Sequence, residues 1–117
     1  MRAYLIDPWT NTISEVDYSG DYHHIYDLID AHLFDVVRID ENGDGVFFDD
    51  EGLFKEEQAF FKIEGCPQPL AGKGLVLGAD NEGNSVQPVF SLKEIERRIT
   101  FMPLGTVVEP RMEVFPF

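Results

Sequence analysis

The alternation of hydrophobic and polar positions along the chain predicts six β-strands, most of them joined by short turns. Clusters of turn-forming residues at Asp7–Asn11 and Asp40–Gly45 each separate two strand-like segments, which is typical of β-hairpins. The near-continuous apolar run Gly74–Ala79 predicts a central strand, whereas Pro88 places the last strand at an edge. The predicted strands are Ala3–Asp7, Thr12–Tyr18, Phe34–Ile39, Val46–Asp49, Gly74–Ala79 and Val86–Phe90.

Apolar residues at helical spacing predict two helices. The first runs from Tyr22 to Leu33, with Asp21 before it as the candidate N-cap. The second is short and begins at a capping box formed by Ser91 and Glu94. Residues 53–63 are ambiguous between helix and strand, and the apolar tail 103–117 can add one more strand.

These elements predict an α+β fold in a single domain over residues 1–117. The expected architecture is a mostly antiparallel sheet of five to six strands, with the main helix packed on one face and one short helix elsewhere. Antiparallel order is expected because the connections are of hairpin length, whereas parallel strands need longer crossovers. The chain is 44% hydrophobic and 13% aromatic, which favours a folded globule over a disordered chain.

Charge narrows the range of partners. The chain has 22 acidic and 9 basic residues, a net charge of −13, and twelve of the acids lie in residues 1–50 with two bases. Direct binding of nucleic acid is disfavoured because it depends on neutralising phosphates. No apolar run approaches the ~18 residues of a membrane span, and the opening segment lacks the apolar core of a signal peptide. A single cysteine, Cys66, indicates a reducing cytoplasm.

The segment Asp40–Glu51, with the sequence DENGDGVFFDDE, matches the spacing of an EF-hand calcium loop. A β-hairpin with a polar tip is the favoured interpretation of the same residues, because strand-like rather than helical residues flank the segment. In the calcium interpretation, the ligands are Asp40, Asn42, Asp44, the Val46 carbonyl and Glu51.

Other candidate chemistry is weaker. His23, His24 and His32 have no further ligands at zinc spacing, and no base lies near Cys66 in the sequence that would activate it as a nucleophile. The glycines around Lys73 do not fit a phosphate loop, because they precede a strand and no hydroxyl residue follows the lysine. No catalytic constellation is visible, so the chain is expected not to be an enzyme and to need no cofactor, calcium being the alternative.

The segments Val46–Leu53 (VFFDDEGL) and Pro69–Gly78 (PLAGKGLVLG), after an opening that contains LIDP, resemble small uncharacterised proteins of bacteria, their phages and plasmids. The resemblance covers most of residues 4–102. It implies a small α+β domain in which the DDEG sequence ends a strand, and it carries no activity and no functional residue.

The leading functional hypothesis is a cytoplasmic interaction protein that presents an acidic surface to a basic site on another protein. In its extreme form, the surface mimics the phosphates of nucleic acid and inhibits a nucleic-acid-binding protein. A calcium-binding module is the second hypothesis, and a small enzyme is the third. The residues expected to bind the partner are Asp21, Asp27, Asp30, Asp35, Asp49 and Asp50, together with the other carboxylates of the 40–51 segment.

Overall fold

The computed structural model describes residues 1–39, 43–52, 58–66 and 68–105. Two helices and nine strands lie in these ranges, and two of the strands are only two residues long. The elements are β1 Arg2–Asp7, β2 Thr12–Asp17, α1 His23–Ile29, β3 Phe34–Arg38, β4 Gly45–Asp49, β5 Phe60–Ile63, β6 Leu70–Ala71, β7 Gly74–Ala79, β8 Ser85–Val86, α2 Leu92–Arg98 and β9 Ile99–Phe101.

The main sheet has six strands, and every pair in it is antiparallel. Its order is β2-β1-β7-β4-β3, and β8 pairs with the far end of β7. The apolar strand β7 lies at the centre, between β1 and β4. The predicted α+β class, the central strand and both hairpins, β1–β2 and β3–β4, are therefore confirmed.

Each face of the main sheet is covered by a different layer. On one face, Ile25 and Ile29 of α1 pack against Leu75 and Leu77 of β7. On the other face, a second sheet of order β6-β5-β9 and helix α2 enclose a separate core cluster. Fully burying one such aliphatic side chain contributes about 1.5–3 kcal/mol, so both layers stabilise the sheet. The second sheet was not predicted, because its strands have only two to four residues.

Helix α1 is shorter than the predicted helix of residues 22–33. It ends at Ile29 because Asp30 adopts a left-handed conformation, with φ 54° and ψ 49°. Aspartate tolerates this region of backbone space better than most residues do. Leu33, the last apolar residue of the predicted helix, lies outside α1 and its side chain is 53% exposed.

The predicted strand Val86–Phe90 is largely wrong as well, because β8 stops at Val86. The backbone N–H groups of Val89 and Phe90 donate to the carboxylate of Asp44 instead, at 2.8 and 2.9 Å. The short helix is confirmed as α2, including its reciprocal capping box of Ser91 and Glu94.

The two ambiguous segments are described only in part. Strand β5 occupies the end of the 53–63 segment, while residues 53–57 lie outside the described residues. Residues 103–105 form no strand, and the rest of the apolar tail, 106–117, also lies outside them.

Candidate interaction surface

Aromatic and aliphatic side chains are exposed along helix α1 and the neighbouring edge strand β3. The rings form a continuous series: Tyr22 contacts Tyr26 edge-on at 6.3 Å between centroids, Tyr26 contacts Phe34 at 5.0 Å, and Phe34 contacts Phe47 at 5.4 Å. The exposed fractions are 55% for Tyr22, 53% for Leu33 and 49% for Val36. We call this region, with the carboxylates around it, the α1–β3 surface.

Carboxylates border these apolar residues. Asp27 and Asp30 lie at the end of α1, and the backbone N–H of Asp50 donates to the carbonyl of Leu33 at 3.2 Å, which brings the end of β4 beside the start of β3. Asp35 lies on β3, where it alternates with Phe34 and Val36, so its side chain is on the opposite face of the sheet from theirs. Four of the six predicted partner-binding residues are thus exposed on or next to α1, β3 and the end of β4.

One lysine partly offsets this negative charge. The Lys73 ammonium lies 2.7 Å from a carboxylate oxygen of Asp30, just before β7 begins. This ion pair joins the residue after α1 to the residue before β7. Within the described residues, Asp27, Asp35 and Asp50 form no ion pair. All three side chains are exposed, so their charges are in contact with solvent.

The remaining two predicted residues have local structural contacts. Asp21, before α1, accepts hydrogen bonds from the backbone N–H of His23 at 3.0 Å and from its ring at 2.8 Å. These bonds, the backbone one first, hold the pKa of Asp21 below its ordinary value. Asp49 is only 6% exposed and accepts from the backbone N–H of Glu51, so it does not contribute to the exposed surface.

The three described residues of the candidate calcium loop, Asp44, Val46 and Glu51, do not surround one point in the structure. Asp44 is fully buried and bound to backbone N–H groups, Val46 lies within β4, and Glu51 lies beyond the other end of that strand. Five residues of strand span about 16 Å, whereas the ligands of one calcium ion lie within about 5 Å of each other. Strand β3 precedes the segment and β4 lies within it, as in the hairpin interpretation. Asp40, Asn42 and residues 53–57 lie outside the described residues.

Other potential sites are sparse. Over the ranges that the structure describes, no group of three or more histidine, cysteine, aspartate or glutamate side chains could hold a metal ion. The thiol of Cys66 is half-buried and donates to the carbonyl of Gln68 at 3.3 Å. No helix in those ranges is long and apolar enough to cross a membrane.

The apolar part of the α1–β3 surface could not be found from the sequence. Tyr22, Tyr26 and Leu33 have the spacing of a buried stripe, and this spacing is indistinguishable from that of an exposed one. The sequence feature that could have indicated it is the segment 30–32, with Asp30 and His32, where the helix ends before Leu33.

Comparisons with known proteins identify a family without giving an activity. The model of DUF3846, a domain of unknown function, matches residues 1–100. A protein of Sinorhizobium fredii named "Uncharacterized protein y4iR" is 32% identical over 111 residues, which cover 92% of this chain and 66% of the relative. The chain therefore spans slightly less than two thirds of that relative. No solved structure matches the chain significantly.

Proposed function

We propose that this chain, which belongs to the DUF3846 family of domains of unknown function, is a small acidic interaction protein. In this proposal it has no enzymatic activity; it binds a basic surface of another protein and inhibits or modulates that protein. The observation that carries the proposal is the α1–β3 surface, where exposed Tyr22, Leu33 and Val36 lie on or next to the same elements as the exposed carboxylates of Asp27, Asp35 and Asp50.

This combination of side chains suits a partner rich in arginine or lysine. Arginine stacks on tyrosine rings and pairs with carboxylates in a bidentate geometry, so one residue can use both features of the surface. Buried aromatic and arginine contacts at the centre of an interface usually supply most of its binding energy. The exposed apolar groups would be removed from water, while the surrounding carboxylates select the sign of the partner's charge.

The net charge of −13 also favours a basic partner, and its electric field acts over longer distances than direct contacts do. Such a field accelerates association with a basic protein and repels acidic ones. Proteins that bind nucleic acid carry basic surfaces that neutralise phosphates, so we propose them as the leading group of targets. We place this function in the cytoplasm, where a free thiol such as that of Cys66 persists in its reduced form.

The test is a pull-down from bacterial lysate with the full chain as bait, eluted by steps of increasing salt. The first variant combines Asp27→Asn, Asp35→Asn and Asp50→Asn, which removes three exposed charges of the surface. The matched control combines Asp17→Asn, Glu82→Gln and Glu96→Gln, which removes three exposed charges elsewhere. Both variants change the net charge equally, so a difference between them measures position rather than total charge.

We expect the wild type and the control to retain a basic protein that moderate salt releases, and the first variant to lose it. Equal retention by both variants would contradict the α1–β3 surface as the binding site. A partner that stays bound in high salt would contradict an electrostatic interaction altogether.

A further inference from the structure

The hydrogen-bond pattern of the β3–β4 hairpin shows which backbone groups of β3 face outward. The N–H of Ile39 donates to the carbonyl of Asp44 at 2.8 Å, and the N–H of Asp50 donates to the carbonyl of Leu33 at 3.2 Å. Bonded and non-bonded pairs alternate along an antiparallel ladder. The odd-numbered residues of β3 therefore bond to β4, while Phe34, Val36 and Arg38 direct their N–H and C=O groups to the outer side.

This outer side is an open sheet edge as far as the structure describes the chain. Strand β3 is the last in the order of the main sheet, and no strand of the described ranges pairs with it there. The carboxylate of Asp35 turns back and accepts the outward N–H of Val36 at 2.8 Å. A charged residue at an open edge is a common protection against indiscriminate strand pairing. The side chain of Val36 is nevertheless half exposed, an apolar contact beside that backbone.

We infer that the outer edge of β3 binds an extended basic segment of the partner protein as an additional strand. This inference rests on the proposed function and specifies how the α1–β3 surface engages its partner. Strand addition supplies backbone hydrogen bonds, and side-chain contacts to the neighbouring surface supply selectivity. A second copy of this chain is the less suitable occupant, because two chains of net charge −13 repel each other.

Asp35 makes the edge selective for basic segments. In the free protein its carboxylate covers the Val36 N–H. When a strand that carries lysine or arginine approaches, the carboxylate pairs with that cation and leaves the N–H to the incoming carbonyl. A strand that carries glutamate at the same position meets a like charge, which is destabilising between facing residues of a sheet.

The first experiment uses short, end-blocked peptides in which lysine or glutamate alternates with valine, and follows the Val36 backbone amide by NMR. We expect the lysine peptide at millimolar concentration to shift this amide and the glutamate peptide to leave it unchanged. Two N-methylated versions of the lysine peptide are also prepared, one with methyl groups on the odd-numbered backbone nitrogens and one with methyl groups on the even-numbered ones. We expect one version to lose binding and the other to keep it, because only one of them lacks the N–H donors that face β3.

The second experiment uses the Val36→Pro variant. Proline removes the outward N–H, yet no bond of the β3–β4 ladder is lost, since Val36 does not donate to β4. Val36→Thr is the matched control, because it keeps the N–H and the β-branched shape. We expect the proline variant to bind the lysine peptide at least tenfold more weakly than the wild type, and the threonine variant to bind it within twofold. The amide spectrum of β7 reports in each case whether the sheet is intact.

The outcomes separate this inference from the proposed function. Strand addition would be overturned if the lysine peptide does not shift the NMR signal of the Val36 amide. It would also be overturned if both methylated peptides bind equally well. If the pull-down partner is lost from the triple aspartate variant but retained by Val36→Pro, the acidic surface is correct and strand addition is wrong. Concentration-dependent dimerisation of the wild type that Val36→Pro abolishes would make a second copy the occupant and would also overturn the inference.

Discussion

Replacing Asp44 with alanine tests how much its buried carboxylate stabilises the fold. Its carboxylate is fully buried and accepts the backbone N–H groups of Val89 and Phe90 at 2.8 and 2.9 Å. It thereby ties the start of β4 to the segment before α2, and the hydroxyl of Tyr4 ties the same segment by donating to the Phe90 carbonyl at 2.9 Å. Alanine would leave both donors without this acceptor, and the Phe90 N–H is buried while that of Val89 is partly buried.

The expected cost follows from these two bonds. A hydrogen bond to a charged group contributes about 1.5–3 kcal/mol, and an unsatisfied buried donor costs a similar amount. We therefore expect Asp44→Ala to lower the free energy of unfolding by about 3–5 kcal/mol. This is a large part of the roughly 5–15 kcal/mol of a typical domain. The melting temperature should fall by on the order of 15 °C.

Urea unfolding followed by circular dichroism measures this loss. The matched control is Asp80→Ala, because Asp80 also accepts two backbone N–H groups, from Glu82 and Asn84 at 2.9 and 2.8 Å, but it is exposed. Water replaces the lost acceptor there, so the control should change the unfolding midpoint far less. If Asp44→Ala costs no more than Asp80→Ala, the reasoning from burial is wrong. A rise in the wild-type midpoint with millimolar calcium, absent in Asp44→Asn, would instead favour a calcium-binding role.

Three further predictions concern stability. Ser91→Ala removes the capping box of α2 and should cost about 1 kcal/mol in urea unfolding, while Ser91→Thr should cost less. Hydrogen bonds from Ser91, its backbone N–H first, hold the pKa of Glu94 below its ordinary value of 4.5. This carboxylate therefore stabilises the fold above pH 4.5, and its contribution is lost as the pH falls through the lowered pKa. In an acid titration, the Glu94→Gln variant should lose less stability over that pH range than the wild type does. Gly78→Ala would place a Cβ 2.7 Å from the carbonyl oxygen of Gln87, so we expect a loss of about 1–3 kcal/mol, and an unchanged melting temperature would contradict this packing.

The parts of the fold that depend on local sequence could be predicted. The β1–β2 hairpin, the β3–β4 hairpin and the capping box of α2 each follow from residues within a few positions of one another. Turn chemistry and apolar alternation are sufficient for such elements. The central position of β7 also follows from its own composition, because an apolar run of six residues needs neighbours on both sides.

The parts that depend on distant contacts could not be predicted. Asp44 has the spacing of a residue in a calcium loop, yet its carboxylate accepts hydrogen bonds from backbone groups 45 and 46 positions later in the chain. The same contact removes the N–H groups of Val89 and Phe90 from the strand that the sequence predicts there. For the acidic residues, the sequence predicts their number but not their placement: Asp49 is buried, whereas Asp27, Asp35 and Asp50 are exposed.

The affinity for the captured partner as a function of salt tests the proposed acidic interaction surface most directly. Calorimetry would compare the wild type with the variant that combines Asp27→Asn, Asp35→Asn and Asp50→Asn. We expect the wild-type affinity to fall at least tenfold between low and physiological salt, and the variant to bind more weakly with a shallower dependence on salt. An affinity that neither salt nor the three substitutions changes would contradict the proposed function.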